Sequence, residues 1–533
     1  MKKWGTLITL SLAMFIIVID TTIMNVSISA LVEDLDNTVS GVQAAISIYA
    51  LVMAAFILIG GKLADIFGPK RVFITGLLIY STGTIIASFS TSLAILILGW
   101  SILEGLGSAL MIPNIQVLLR QAYEEEARAF AYGMVSAVAA VGAAVGPIVG
   151  GFFTTFISWR WAFRSEVAIA IVVLILSRYL AKDVLEGDRL QFDYLGALLS
   201  IFGWSSIVLG ILVSQKYGLF LAKEPFVIGS YEIAPLGLSI TTILVGLGIL
   251  LILLFFRWED HLEAEGGDGL FRPSILELSG IKPGLGVRFL HVGIMAGFLY
   301  LIPLMLQLSF EYTAMHTGLA MMPYSISLLI MAIIGARLSS RFYANRLIQI
   351  GFIAAAAGLG IMAASIQPDA RPEDLAMGAL FGAGMGLVAS QILNLILSSV
   401  TAEQTPETAG LTSTFEQLGN AIFVALVGTV MLTALSTGLL GGIKSSAVIP
   451  QEAKTPLVAT ADEGVQLMSS TQLQRELEVL GIEEAGIAEL NEIYGDARTG
   501  AFKAGASLLV FASLLALVIS LWLPKRKLVE AKE

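Results

Sequence analysis

"GKLADIFGPKR" (residues 61–71) sets four charged side chains, Lys62, Asp65, Lys70 and Arg71, between two apolar runs, "AISIYALVMAAFILIG" (45–60) and "VFITGLLIYSTGTIIASF" (72–89). Each run approaches the roughly 20 residues that a helix needs to cross about 30 Å of hydrocarbon. The charged stretch then reads as a tight aqueous turn between two membrane helices, with Gly61 and Gly68 permitting the reversal. A later stretch, "ARLSSRFYANR" (336–346), repeats it: Lys62 aligns with Arg337, Leu63 with Leu338, Phe67 with Phe342 and Arg71 with Arg346. Near the same offset, "EGLGSALMIPNIQVL" (104–118) aligns with "FGAGMGLVASQILNL" (381–395). Matched turns and helices at matched ordinal positions imply two related six-helix bundles, an architecture that places substrate near mid-membrane between its halves.

The rest of the chain fits that frame. Of 533 residues, 56% are hydrophobic and 14% charged, which marks a polytopic membrane protein embedded in a lipid bilayer. Fourteen spans are expected, near 7–30, 43–64, 72–91, 94–113, 129–154, 161–182, 194–214, 234–256, 285–308, 317–339, 346–365, 375–399, 408–436 and 500–523. The fold class is therefore an all-α membrane protein of two pseudo-symmetric six-helix bundles plus an inserted helix pair. The divisions are residues 1–190, the pair and its linker at 191–275, and 276–533. With both termini placed in the cytoplasm, 21 of the 31 basic residues fall in inner segments, as the positive-inside rule requires. Arg160 and Arg164 in "SWRWAFRSE" run against that bias. The N-terminal apolar run reads as a retained first span rather than a cleaved signal. The long outer segment 437–498 is expected to fold into one or two short amphipathic helices forming a cap.

Several functions are excluded. A net charge of −10 argues against nucleic-acid binding. With no cysteine and only three scattered histidines, neither disulfides nor a metal site is expected. No phosphate-binding Gly-x-x-x-x-Gly-Lys loop and no catalytic constellation appears, so neither an enzyme nor a cofactor is expected.

"GKLADIFGPKR" resembles the signature loop of the major facilitator superfamily, with Gly61, Leu63, Asp65, Phe67, Gly68, Lys70 and Arg71 matching and Ile66 and Pro69 departing. In that family the loop latches the halves on the cytoplasmic side, and Asp65 is placed to meet a helix N-terminus or an arginine such as Arg128. "GAAVGPIVGG" (142–151) resembles the glycine–proline motif of the family's exporters, through Gly142, Gly146, Pro147, Gly150 and Gly151. "IDTTIMNVSIS" (19–29) is similar to the first-helix motif of the fourteen-helix drug:proton antiporter branch, with Asp20, Thr22 and Asn25 in place. "FDYLGALLS" (192–200), "GLAMMP" (318–323) and "FEQLGNAIFVALVGTV" (415–430) also look like that branch. The fourth span departs from its motif: Ser101 stands where the family carries a buried arginine, and Glu104 replaces a glutamine.

Charged residues at mid-membrane cost about 2.5–3.5 kcal/mol on insertion scales and usually mark pathways or relays. Asp20, Glu104, Glu416 and Glu166 are the proton-coupling candidates. For Asp20 and Glu104 the alternative is a hydrogen-bonded structural acid that never releases its proton. Glu416 stands evenly between the two, and Glu166, near the outer end of its span, reads first as a solvated interfacial residue. Asn25, Gln307, Gln391, Asn394, Gln417 and Asn420 are candidates to line a substrate cavity, although inter-helix hydrogen bonding accounts for each equally well. The cavity is expected between spans 1, 2, 4 and 5 and their partners 9, 10, 12 and 13, with spans 7 and 8 outside it. The resemblance implies a monomeric secondary transporter in a bacterial-type inner membrane, exporting hydrophobic or amphipathic small molecules in exchange for protons. A lipid or lipid-precursor flippase of the same fold is the alternative, and a non-transporting sensor or scaffold a third reading.

Overall fold

The computed structural model describes residues 2–123, 125–183, 191–228, 231–339, 341–366, 378–401, 404–449, 451, 454, 457–458, 465–479 and 484–527. Helices fall where all fourteen spans are expected: α1 (Lys2–Val26), α2 (Val39–Phe67), α3 (Pro69–Ser88), α4 (Leu93–Ala122), α5 (Glu125–Phe156), α6 (Arg160–Leu176), α7 (Tyr194–Tyr217), α8 (Ile240–Ala264), α9 (Ile281–Ser309), α10 (Ala314–Ala320 with Met322–Leu338), α11 (Ala344–Ser365), α12 (Gly378–Leu397), α13 (Thr405–Ser445) and α14 (Glu484–Ser520). Among the described residues, twelve are long and apolar enough to cross a membrane. α10, bent by 41° at its break, makes a thirteenth if counted as one span. α6 has 17 residues, which is about 26 Å and the short end of what crosses hydrocarbon.

Packing follows the repeat. In the first half α1 packs on α5, α3 on α4 and α2 on α4; in the second, α9 packs on α13, α11 on α12 and α10 on α12. The halves meet through two symmetry-related contacts, α2 with α13 and α5 with α10. α7 and α8 pack chiefly on each other, and α7 also leans on α2 and α13. Asp193 starts α7 by accepting from the Gly196 amide at 2.9 Å, and Trp258 of α8 donates to the same oxygen at 2.9 Å, clamping the pair. A short antiparallel ribbon, Phe226–Ile228 with Tyr231–Ile233, lies between α7 and α8; nothing in the apolar periodicity announces it.

The segment between α13 and α14 is shorter than the expected 437–498. α13 continues to Ser445 and α14 begins at Glu484, so both helices project past their apolar spans. Between them the amphipathic helix Ser470–Val479 and buried Ile443, Ile449, Leu477 and Leu490 form a satellite core, the expected cap. Glu311, held at φ +51°, ties this cap to the α9–α10 turn by accepting from the Thr471 amide (3.0 Å) and hydroxyl (2.7 Å). Those two donors hold its carboxyl below the ordinary carboxylate range. The basic pair that runs against the charge bias is also accounted for. Arg160 pairs with Asp34 at 2.6 Å, and Arg164 lies over the rings of Trp161 and Phe89.

Candidate functional site

α4 is not a uniform helix. It opens as α-helix over Leu93–Leu96, widens to a π-helix over Ile97–Glu104, and resumes α-helix at Gly105. π segments are rare and concentrate at functional sites. This one ends on Glu104 and lies against α3, where a Cβ at Gly83 would stand 2.6 Å from the Glu104 amide nitrogen. That close approach brings two α3 side chains into reach of acids on neighbouring helices. Thr84 donates to Glu104 Oε2 at 3.0 Å, and Tyr80 donates to Glu166 Oε2 at 3.1 Å. Trp100 donates through Nε1 to Asp20 Oδ2 at 2.9 Å, while its ring stacks on Tyr49 with centroids 5.3 Å apart.

Asp20 from α1, Glu104 from α4 and Glu166 from α6 therefore converge. One oxygen of each lies within 4.8 Å of one oxygen of both others, and all three residues are at most 1% exposed. The second oxygen of each, Asp20 Oδ1, Glu104 Oε1 and Glu166 Oε1, is buried with no hydrogen-bonding partner. None of the ion pairs among the described residues reaches the cluster. At an effective dielectric of about 20, unit charges 4.8 Å apart repel by about 3.5 kcal/mol. Burying each ion costs several kcal/mol more. A dry cluster therefore holds no more than one negative charge, and protons or another cation must neutralise the rest. The oxygen-only donor set suits protons or a hard cation equally.

Glu166 corrects the expectation of a solvated interfacial residue. Glu166 is 1% exposed, and near the start of α6 Trp159 is 3% exposed and donates to Asp34 Oδ2, at the end of the short helix Ile28–Asp34, at 3.1 Å. Ser101, where the resembled motif has arginine, donates to the Ala45 carbonyl at 2.8 Å and so ties α4 to α2.

In the 61–71 turn, Asp183 beyond α6, and not Asp65, meets the helix N-terminus. It accepts from the amides of Lys70 (2.8 Å) and Arg71 (3.2 Å), and its carboxylate sits against Gly68, whose φ of +94° needs glycine. Lys70 Nζ donates to the Leu180 carbonyl at 3.0 Å. Asp65 has no hydrogen bond or ion pair among the described residues. With Gly61 and Lys62 it lines a cavity of about 630 Å³ between the halves, on the face that carries the N-terminus of α1. Arg120, Glu407 and the 266–272 segment complete its wall, and Lys62 reaches Asp268 at 3.9 Å. The side chain of Arg128 lies outside the described residues.

The glycine–proline motif lies at a junction of three helices. Cβ atoms at Gly146 and Gly150 would run into Thr22 and Ile23 of α1, and Gly142 faces Phe15. A Cβ at Gly151 would meet the Ala314 carbonyl of α10 at 2.6 Å, and Pro147 lies against Gly318. α5 thus links the helix bearing Asp20 to the other half.

None of the six polar cavity candidates lines the 630 Å³ cavity. Asn25 donates to the Thr21 carbonyl at 2.7 Å, Gln307 to Val26 at 2.8 Å across the halves, and Gln391 to Gly335 at 2.7 Å. Gln417 and Asn420 are half-buried, and Asn394 is exposed. Glu416 is paired with Arg288 at 2.7 Å. Gln43, not singled out from the sequence, joins three helices: it donates to the Val424 carbonyl (3.0 Å) and accepts from Tyr300 (3.1 Å). A larger cavity, about 1220 Å³, lies off the interface between the halves, among α7, α13 and α14.

Residues 10–424 match the family model of the Major Facilitator Superfamily. The chain is 27% identical over 487 residues to the "Probable actinorhodin transporter" of Streptomyces coelicolor, covering 90% of this chain and 80% of that protein. It is 26% identical over 447 residues to "Puromycin resistance protein pur8" of Streptomyces alboniger, covering 82% and 84%. Among solved structures, a bacterial homologue of the human lysosomal transporter Spinster, inward-facing and unoccupied, is alike in fold with a TM-score of 0.58 at 15% identity over 98% of both chains.

Proposed function

The chain belongs to the major facilitator superfamily as a multi-pass membrane transporter and not an enzyme, and we propose that it exports hydrophobic or amphipathic small molecules in exchange for protons. The observation that carries proton exchange is the cluster of Asp20, Glu104 and Glu166, buried together without a basic partner. Relatives named for actinorhodin transport and puromycin resistance support export.

The charge bias puts the face with both termini in the cytoplasm. Substrate then enters the cavity beside Asp65, Lys62 and Glu407. On the opposite face the halves are joined by the Gln307–Val26 bond and by Thr155, which accepts from the Met315 amide at 2.9 Å. Rocking breaks those bonds and moves α5 against α10. Because α5 is packed backbone-close on α1, the same motion displaces Asp20 and admits water to the cluster. Hydrated carboxylates release protons to one face and regain them from the other, which drives the exchange.

The test uses inside-out vesicles, with puromycin as the probe and an imposed pH gradient. Glu104→Gln is expected to weaken gradient-driven uptake while leaving puromycin binding intact and weakly pH-dependent, and Asp20→Asn to weaken the same uptake. Full coupling in Glu104→Gln would make Glu104 a structural acid and sink the reading.

A further inference from the structure

We infer that Asp20, Glu104 and Glu166 form one store that fills and empties by two protons per transport cycle, so that two protons enter for each molecule exported. The inference rests on the proton-exchange reading and adds to it a number and a third residue.

The titratable groups facing the cluster from the helices around it are Tyr49 of α2 and Tyr80 of α3; neither supplies positive charge. The nearer donors, Trp100, Thr84 and Tyr80, each satisfy one oxygen of a different carboxyl and leave the other oxygen buried and bare. Three such groups within 4.8 Å, with at most one ionised when dry, hold at least two bound protons in the occluded protein, and two when the donors Trp100, Thr84 and Tyr80 sustain the one remaining charge. One oxygen of each acid lies within 4.8 Å of one oxygen of the other two, so a proton moving between them has no farther than that to go. Once water enters, mutual repulsion falls about fourfold as the dielectric rises from about 20 to about 80. All three then ionise and both protons leave. Each of the two protonated carboxyls gives up one O–H bond and keeps its electron pair, and the entering water accepts both protons, so the step balances.

Two measurements on the full chain test the count. The first is infrared difference spectroscopy of purified protein at pH 7 in choline chloride, reading the protonated-carboxyl stretch. Wild type minus the triple variant D20N/E104Q/E166Q is expected to integrate to two protonated carboxyls, and wild type minus any single variant to one. A triple difference of one or of three overturns the inference. Loss of the signal when sodium chloride replaces choline chloride overturns it in favour of a metal cation on the same oxygens.

The second is the steady puromycin gradient in vesicles held at zero membrane potential with one unit of pH difference. Two protons support about a 100-fold gradient in wild type, and one proton about tenfold in Glu166→Gln. A tenfold gradient in wild type overturns the inference, and that measurement needs no variant to fold. If no gradient forms in wild type at all, proton exchange itself fails, and the infrared count separately decides whether the cluster stores two protons.

Discussion

Replacing Asp183 and Asp65 in turn separates what holds the signature turn together from what it does. Asp183 is 7% exposed and caps the first turn of α3 through two amide hydrogen bonds. Loss of a carboxylate cap costs about 0.5–2 kcal/mol, and loss of its charge at the helix N-terminus about 0.3–1 kcal/mol more. The Arg71 contact adds little, because Arg71 is 72% exposed and 3.9 Å away. Asp183→Ala is therefore expected to destabilise by about 2 kcal/mol, and Asp183→Asn, which keeps one acceptor, by about 1 kcal/mol. Asp65 makes no hydrogen bond or ion pair among the described residues, so Asp65→Asn should stay within about 0.5 kcal/mol of wild type. If the turn gates the cavity it lines, Asp65→Asn nevertheless cuts flux several-fold. The assay pairs denaturant-induced unfolding of purified protein with vesicle flux. Greater destabilisation by Asp65→Asn than by Asp183→Ala would refute the assignment of the cap.

Three further outcomes follow from particular contacts. Gly146→Ala puts a Cβ into Thr22 and should cost about 1–3 kcal/mol, with Thr22→Ala restoring most of it in the double variant, as a thermal-stability cycle will show. Glu416→Gln leaves Arg288 part-buried and unpaired and should destabilise by about 1–3 kcal/mol without changing the proton count of the cluster. The Glu311 carboxyl is held below the usual range when folded, so its contribution is present at neutral pH and is lost as pH falls through that lowered value. Hydrogen exchange in helix Ser470–Val479 should accelerate at strongly acid pH in wild type and already at pH 7 in Glu311→Gln.

Features set by local spacing were legible in the sequence. The 61–71 turn, its repeat at 336–346 and the Gly142–Gly151 seam each lie within about a dozen residues, and the helices and close contacts lie where those spacings put them. Asp20 and Glu104 stood out because an acid in an apolar run is costly. Their meeting with Glu166 was not legible, since it depends on how α1, α4 and α6 are rotated about their axes. The π-helix over "ILGWSILE" sets that rotation for Glu104 and has no compositional mark. Depth along α6 misled for Glu166, because its side chain turns inward to Tyr80 and the other two acids, and depth does not tell which way a side chain points. Asp183 was missed because it follows the end of a span, and only the fold brings it to Gly68.

The two halves share an arrangement of helices but differ in how they neutralise their acids. In the second half Glu416 is paired with Arg288 at 2.7 Å. In the first half, position 101 carries no arginine; Ser101 spends its hydroxyl on joining α4 to α2. Glu104, where the resembled motif has glutamine, adds an acid with no fixed cation paired to it among the described residues. Such a site is stable when dry only if protons or another cation neutralise it. The helix that carries Asp20 is also the one packed on the glycine face of α5, which touches α10 across the interface. The helix that carries Asp20 thus meets the other half both through α5 and directly through the Gln307–Val26 bond, and on the reading proposed above a change in the angle between the halves acts on the acids along those contacts.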